Sequence, residues 1–93
     1  MKEQPLYAVV YDITDDKERR KVDRVLTGYG FRVQKSVFEC RLGRGDKAQL
    51  MGQLNRLQLR TGSVKMYRVY AGVATVVIGQ PSSSPDDEPA YVY

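Results

Sequence analysis

The stretch YAVVYDITDDKERRK, residues 7–21, contains the features that decide the fold. Residues 6–11 are rich in β-branched and aromatic side chains, and both alternating sets are apolar, which predicts a strand buried on two faces. Asp12 ends this apolar run. Asp15, followed three residues later by Glu18, is typical of a helix N-terminus. The stretch therefore predicts a strand that ends in a carboxylate and leads directly into a helix.

The following segment predicts one helix and two strands. Apolar residues recur at helical spacing at Val22, Val25, Leu26 and Tyr29. Gly28 and Gly30 then indicate the end of this helix. Residues 31–42 are typical of strands, but their apolar positions change parity along the way, which one regular strand does not allow. We therefore expect a short strand, a tight turn or bulge near Lys35 and Ser36, and a longer strand.

The second half of the chain repeats the pattern. Asp46 with Gln49 resembles another helix start, and the apolar positions that follow predict an amphipathic helix ending at Gly62; these positions are Leu50, Leu54 and Leu57. Residues 63–71 predict a further strand and residues 74–78 a last short one. The sequence AYVY, residues 90–93, is suited to a terminal strand on this sheet or on a partner's.

The predicted order is β-α-β-β-α-β-β, whose first six elements form the α+β, ferredoxin-like arrangement. Two helices cover one face of such a sheet, yet the strands here are apolar on both faces. A second copy of the chain is the simplest cover for the other face. We therefore expect a ferredoxin-like domain at residues 1–79, including the terminal strand, and an acidic Pro/Ser-rich tail at residues 80–93.

Composition and charge narrow the possible functions. The chain has 93 residues, enough for one small domain. All 15 Lys and Arg residues precede Gln80 together with eight of the 11 acids, so this body carries a net charge of +7. Such a charge has two possible explanations: it keeps the domain soluble, or it attracts a polyanionic partner. The single cysteine and the lack of a long apolar stretch lead us to expect a cytoplasmic protein without membrane contact.

The chain contains no histidine, which excludes the commonest general base and the commonest transition-metal ligand. Hydrolysis would therefore require carboxylates with a hard cation such as Mg²⁺. Asp12 is the candidate ligand, because two copies meeting across a dimer axis would supply two carboxylates; the alternative is an ordinary turn acid.

The basic candidates for nucleic-acid contact are Arg19, Arg20, Arg24, Arg32 and Lys35. The alternative is a solvated helix face, although arginine in a strand, as at Arg32, suits bidentate contact with phosphate.

The motifs YDITDD, RRKVDRVL and GYGFRVQKSVFEC occur in this order, and the chain from residue 7 to residue 78 resembles CRISPR-associated protein 2. The resemblance implies a homodimer in which two sheets pack face to face and each terminal strand, residues 74–78, joins the partner's sheet. It implies Asp12 as the catalytic metal ligand, with Mg²⁺ or Mn²⁺ as cofactor. By position, family residues near that site match Arg19 or Arg20, Arg32, Ser36 and Phe38.

The activity implied by this resemblance is metal-dependent endonuclease cleavage of single-stranded RNA, double-stranded DNA or both, within CRISPR spacer acquisition. The implied protein partner is the CRISPR integrase subunit, CRISPR-associated protein 1. Two alternatives stay open at this point. One is a non-catalytic DNA-binding scaffold of the integrase complex, and the other is a generic ferredoxin-like module that binds RNA or a small ligand.

Overall fold

A computed structural model describes residues 4–70 and 76–79 of the chain. The elements are β1 (Leu6–Ile13), α1 (Asp16–Thr27), β2 (Gly30–Gln34), β3 (Val37–Arg41), α2 (Arg44–Arg56) and β4 (Gly62–Val69). The strands form one antiparallel sheet in the order β2-β3-β1-β4, so β1 pairs with a neighbour on each side. This topology confirms the predicted α+β, ferredoxin-like arrangement.

One face of the sheet is covered by the two helices and forms the core. On β1 the inward positions are the odd ones, at Tyr7, Val9, Tyr11 and Ile13. β3 adds Phe38 and Cys40, and the helices add Val22, Leu26 and Leu50. Burial raises the pKa of the Cys40 thiol to about 11, with a smaller contribution from the charge of Glu39. The alternation along β1 therefore directs every second side chain into one continuous apolar cluster.

The opposite face, which we call the open face, is not covered by any described element of the chain. Strand pairing places Phe31, Glu39, Ala8 and Tyr67 in one row across all four strands of this face. Phe31 is 77% exposed and Tyr67 is 53% exposed. The sequence was therefore right that β1 is apolar on both faces, and the open face leaves large apolar side chains in contact with solvent.

Several predicted element boundaries agree with the structure. Asp15 caps α1, because its carboxylate accepts a hydrogen bond from the backbone N–H of Glu18 at 2.9 Å. The change of parity in residues 31–42 is accounted for by a turn at Lys35 and Ser36 and by a register shift between Arg32 and Gln34.

Other predicted boundaries were wrong. α2 begins at Arg44 after Gly43, and no side chain caps it, so Asp46 lies inside the first turn. The backbone N–H of Lys47 donates to the carbonyl of Gly43 at 2.9 Å and already closes that turn. The helix ends at Arg56, and Gly62 is the first residue of β4.

The predicted last strand, residues 74–78, falls partly outside the described residues, and residues 76–79 lie in no strand. The acidic tail at residues 80–93 also lies outside them. Among the described residues, no helix has the length and apolar character needed to span a bilayer.

Candidate metal and nucleic-acid site at the end of β1

Asp12 lies at the end of β1 on the open face. It is exposed and stands opposite Ser63 of β4. Its side chain forms no hydrogen bond or ion pair with any residue in the described part of the chain. A carboxylate in this state keeps its oxygen atoms available to a ligand from outside the chain. The sequence predicted that Asp12 closes this strand; in the structure β1 continues for one more residue, the buried Ile13, so Asp12 is the last residue of β1 but one.

The backbone of Asp12 is fixed by a close approach of β4. A Cβ atom at Gly62 would lie 1.8 Å from the carbonyl oxygen of Asp12 and 2.8 Å from the Cα of Ile13. Because any side chain at this position would collide with backbone atoms, glycine is required for the two strands to pair here. The chain thus holds the site carboxylate on a tightly paired stretch of sheet.

Glu18 connects the start of α1 to the loop that precedes β4. Its carboxylate accepts hydrogen bonds from the backbone N–H of Arg60 at 2.8 Å and of Thr61 at 3.0 Å, and from the Thr61 hydroxyl at 2.6 Å. The hydroxyl of Thr61 and the N–H of Arg60, in that order, lower the pKa of Glu18 below its ordinary value. The Thr61 hydroxyl also accepts from the N–H of Asp15 at 3.1 Å. The connection holds the entry to β4 beside the end of β1.

A second polar network lies on the helix-covered side of the sheet, and we call it the Tyr11–Asp23–Arg32 network. The Tyr11 hydroxyl donates to one carboxylate oxygen of Asp23. The other oxygen pairs with Nη2 of Arg32 at 2.9 Å. Burial, followed by the hydrogen bond to Asp23, raises the pKa of Tyr11 to about 12. The hydrogen bond from Arg32 to Asp23 raises the pKa of the guanidinium above its ordinary value.

The basic residues predicted to contact nucleic acid are in two different situations. Arg19 is engaged, because its Nη1 donates to the carbonyl of Ile13 at 3.0 Å and its Nη2 pairs with Asp16. Arg20 and Arg24 are exposed one helical turn apart, and neither side chain has a hydrogen bond or ion pair with a described residue. Lys35 is exposed in the β2–β3 turn.

The two remaining predicted residues are tied to the sheet. The Ser36 carbonyl accepts from the N–H of Tyr11 at 3.1 Å, which places this turn beside the residue that precedes Asp12. Phe38 is only 2% exposed and lies in the core, where the Arg32 guanidinium stacks over its ring at 5.3 Å from the centroid. The structure therefore bonds Arg19 and the Ser36 carbonyl to the backbone of the two residues that flank Asp12, and it places Phe38 beneath Arg32.

Sequence reasoning missed Asp23 and the role of Glu18. Asp23 sits in the helix sequence RRKVDRVL, where one acid among arginines is typical of a solvated helix face. Glu18 was interpreted only as a partner of the helix cap. The available signal was an arginine in a strand, Arg32, whose guanidinium can pair with an acid on a helix packed beside that strand.

One chain supplies only one ligand to the candidate metal site. Within residues 4–70 and 76–79, no cluster of three or more Cys, Asp or Glu side chains is arranged to hold a metal ion. Mg²⁺ commonly binds through one or two carboxylates and keeps several waters. The exposed oxygen ligand of Asp12 fits that chemistry, provided that a second carboxylate or a phosphate oxygen completes the site.

Comparison with known proteins gives a consistent result. The chain is 37% identical over 68 residues to a CRISPR-associated endoribonuclease Cas2 of Mycobacterium tuberculosis, covering 73% of this chain and 59% of that protein. It is 41% identical over 75 residues to a CRISPR-associated endonuclease Cas2 of Thermus thermophilus, covering 80% and 83%.

A chain in the solved structure of a partial Cas6-RT-Cas1–Cas2 complex superimposes with a TM-score of 0.65 at 30% identity, covering 73% of this chain and 81% of that one. The family model for CRISPR associated protein Cas2 matches residues 5–73. With its ferredoxin-like topology and the acid at the end of β1, the chain belongs to the Cas2 family.

Proposed function

We propose that this protein is a metal-dependent endonuclease of CRISPR adaptation that acts as a homodimer, with the two Asp12 carboxylates forming its active site. The observation that carries the proposal is the position of Asp12, exposed and without a partner in the described chain, at the end of the central strand on the open face. The names of the relatives, endoribonuclease and endonuclease, support a nuclease.

The open face supports the homodimer. Three of the four residues in its row are apolar or aromatic, namely Phe31, Ala8 and Tyr67, and a second copy of the same sheet is a chemically matched cover for them. Each Å² of apolar surface removed from water in such an interface stabilises it by about 25 cal/mol, before the entropic cost of association is subtracted. Because Asp12 belongs to the same face, a dimer formed here brings its carboxylate toward the interface, whereas a dimer formed through the helices would not.

In such a dimer the residues around Asp12 have distinct roles. Asp12 of each copy would hold Mg²⁺ or Mn²⁺, and its charge makes it suitable for a hard cation. When bound, the ion supplies Lewis-acid chemistry at a phosphate oxygen. Gly62 packs against the Asp12 carbonyl, and Arg19 donates to the Ile13 carbonyl, so the backbone that carries each carboxylate is held in place.

Nucleic-acid binding is assigned mainly to exposed cations. Arg20 and Arg24 on α1 and Lys35 in the β2–β3 turn are free to contact phosphates, and the net charge of +7 before Gln80 would attract RNA or double-stranded DNA. Arg19 contributes positive charge next to the end of β1. The related chain in a Cas1–Cas2 complex supports association with the CRISPR integrase subunit, CRISPR-associated protein 1.

The substitution Asp12→Asn tests the proposal. Asparagine keeps the shape but loses the charge, so cleavage of single-stranded RNA and double-stranded DNA with Mg²⁺ or Mn²⁺ should fall at least about 100-fold. Dimer mass and duplex affinity should stay unchanged. Asp46→Asn is the matched control, because it removes another exposed carboxylate, in the first turn of α2.

Two results would contradict parts of the proposal. Equal cleavage by the Asp12→Asn variant and the wild type would remove Asp12 from the active site. A wild-type dimer that binds duplex DNA tightly and cleaves neither substrate with any metal would support the alternative of a non-catalytic scaffold in the integrase complex. Addition of EDTA in parallel separates metal-dependent cleavage from contaminating nuclease.

A further inference from the structure

The Arg32 guanidinium is constrained on three sides by its own chain. Nη2 pairs with Asp23 of α1 at 2.9 Å, and Nη1 donates to the backbone carbonyl of Lys35 at 3.0 Å. Its plane covers the Phe38 ring at 5.3 Å from the centroid. A carboxylate, a carbonyl and an aromatic face together fix the orientation of this guanidinium toward its own chain, although two of its five N–H donors suffice for these bonds and the side chain stays 45% exposed.

Strand pairing also separates Arg32 from Asp12. Arg32 pairs with Phe38, which in turn pairs with Val9, and these residues point to the helix-covered face. Asp12 pairs with Ser63 on the open face. Because paired residues share a face, the guanidinium and the site carboxylate extend from opposite sides of the sheet.

The network nevertheless reaches the site through the backbone. Asp23 accepts from the Tyr11 hydroxyl with its remaining oxygen, so α1 is joined to the end of β1. The carbonyl of Lys35 accepts from Arg32, and the next carbonyl, that of Ser36, accepts from the N–H of Tyr11 at 3.1 Å. Helix α1, the β2–β3 turn and the residue before Asp12 are thus connected by one set of bonds.

We propose that Arg32 is a positioning residue: with Asp23 and Tyr11 it holds the β2–β3 turn against the end of β1 and so orients Asp12, and it is not a phosphate contact. This inference rests on the proposed function for its cleavage readout only. It differs from the interpretation of Arg32 drawn from sequence, in which an arginine in a strand contacts nucleic acid.

The first experiment measures duplex DNA affinity as a function of salt for Arg32→Gln, Asp23→Asn and Arg20→Ala. Loss of a phosphate contact lowers the slope of log affinity against log salt by about 0.9. We expect that loss for Arg20→Ala and an unchanged slope for the two network variants. A slope reduced by about 0.9 in Arg32→Gln would overturn the proposal.

The second experiment measures cleavage by the same variants. Misplacement of the Asp12 carboxylate should lower kcat by about 10- to 100-fold while KM stays nearly constant. The double variant Asp23→Asn/Arg32→Gln should be no slower than either single variant, since both break one network. Additive losses, or a loss expressed in KM, would contradict a shared positioning role.

The third experiment does not depend on nucleic acid or on cleavage. Hydrogen exchange of the Tyr11 amide reports its bond to Ser36, and we expect it to accelerate in Arg32→Gln and Asp23→Asn but not in Arg20→Ala. Tyr11→Phe, which removes one hydroxyl, should give a smaller acceleration in the same direction and guards against general unfolding. Unchanged exchange in Arg32→Gln would overturn the inference even if the wild type proved not to be a nuclease.

Discussion

The two faces of the sheet differ in whether their side chains have partners within the same chain. On the helix-covered face Phe38 is buried, and Tyr11, Asp23 and Arg32 satisfy one another. On the open face Phe31 is exposed, and the Asp12 carboxylate has no partner in the described chain. Alternate residues of the same strand, β1, serve both faces. The comparison teaches that the odd positions of β1 complete the core of one chain, whereas the open face carries the exposed groups that we propose meet a second molecule.

Truncation on the covered face should have the largest effect. Phe38→Ala removes a side chain that fills the centre of the core and carries the stacked Arg32, so the free energy of unfolding should fall by about 3–5 kcal/mol. Urea unfolding followed by circular dichroism measures this loss. Phe31→Ala is the matched control on the open face, and an equal loss there under monomeric conditions would break the distinction between the faces.

A charge placed on the open face should weaken the proposed dimer. Phe31→Glu introduces a carboxylate at a side chain that is 77% exposed and lies directly opposite Glu39, so the free energy of unfolding of the monomer should fall by no more than about 1 kcal/mol. The same charge would be buried without a partner in the proposed dimer, and dimerisation should weaken at least about tenfold. Analytical ultracentrifugation measures the change, with Ala48→Glu on the exposed side of α2 as the control. An unaffected dimer would place the interface elsewhere.

Protonation of Glu18, whose carboxylate binds the loop that precedes β4, should have the smallest effect on the stability of the fold. The pKa of Glu18 is lowered in the folded state by the Thr61 hydroxyl and by backbone N–H groups. Its stabilising contribution is therefore fully present above the unfolded pKa of about 4.3 and is lost as the pH falls through the lower folded value. Thermal melts of Glu18→Gln should show a weaker decline in this acid range than the wild type. Thr61→Ala should change the decline in the same direction, and parallel curves for all three proteins would contradict this role.

The sequence predicted the local features that depend on alternation. The run from residue 6 to residue 11 placed Asp12 at the end of a central strand, and the change of parity located the turn at Lys35 and Ser36. The start of α2 was misplaced because Asp46 and Gln49 have the spacing of a cap, whereas the backbone at Gly43 closes the turn without a side chain.

The contacts of Asp23 and Glu18 could not be predicted from the sequence, for a different reason. Asp23 meets Tyr11 and Arg32 only after α1 has packed on the sheet, and Glu18 meets Thr61 across 43 positions of the chain. Spacing along one helix contains no information about such contacts. Whether an acid on α1 is solvated or bridges two strands is decided by packing, and this limits what a single sequence can predict about the site.

The burial of Cys40 has a practical consequence for spectroscopy. It is the only cysteine of the sequence, and its thiol, with a pKa of about 11, stays protonated and shielded at neutral pH. Thiol-reactive probes attack the thiolate, so they would leave the native residue unlabelled. A Ser63→Cys variant would place a single reactive thiol opposite Asp12 without any change to the core. In the proposed dimer, spin labels attached there would report through their mutual distance how far apart the two Asp12 positions lie.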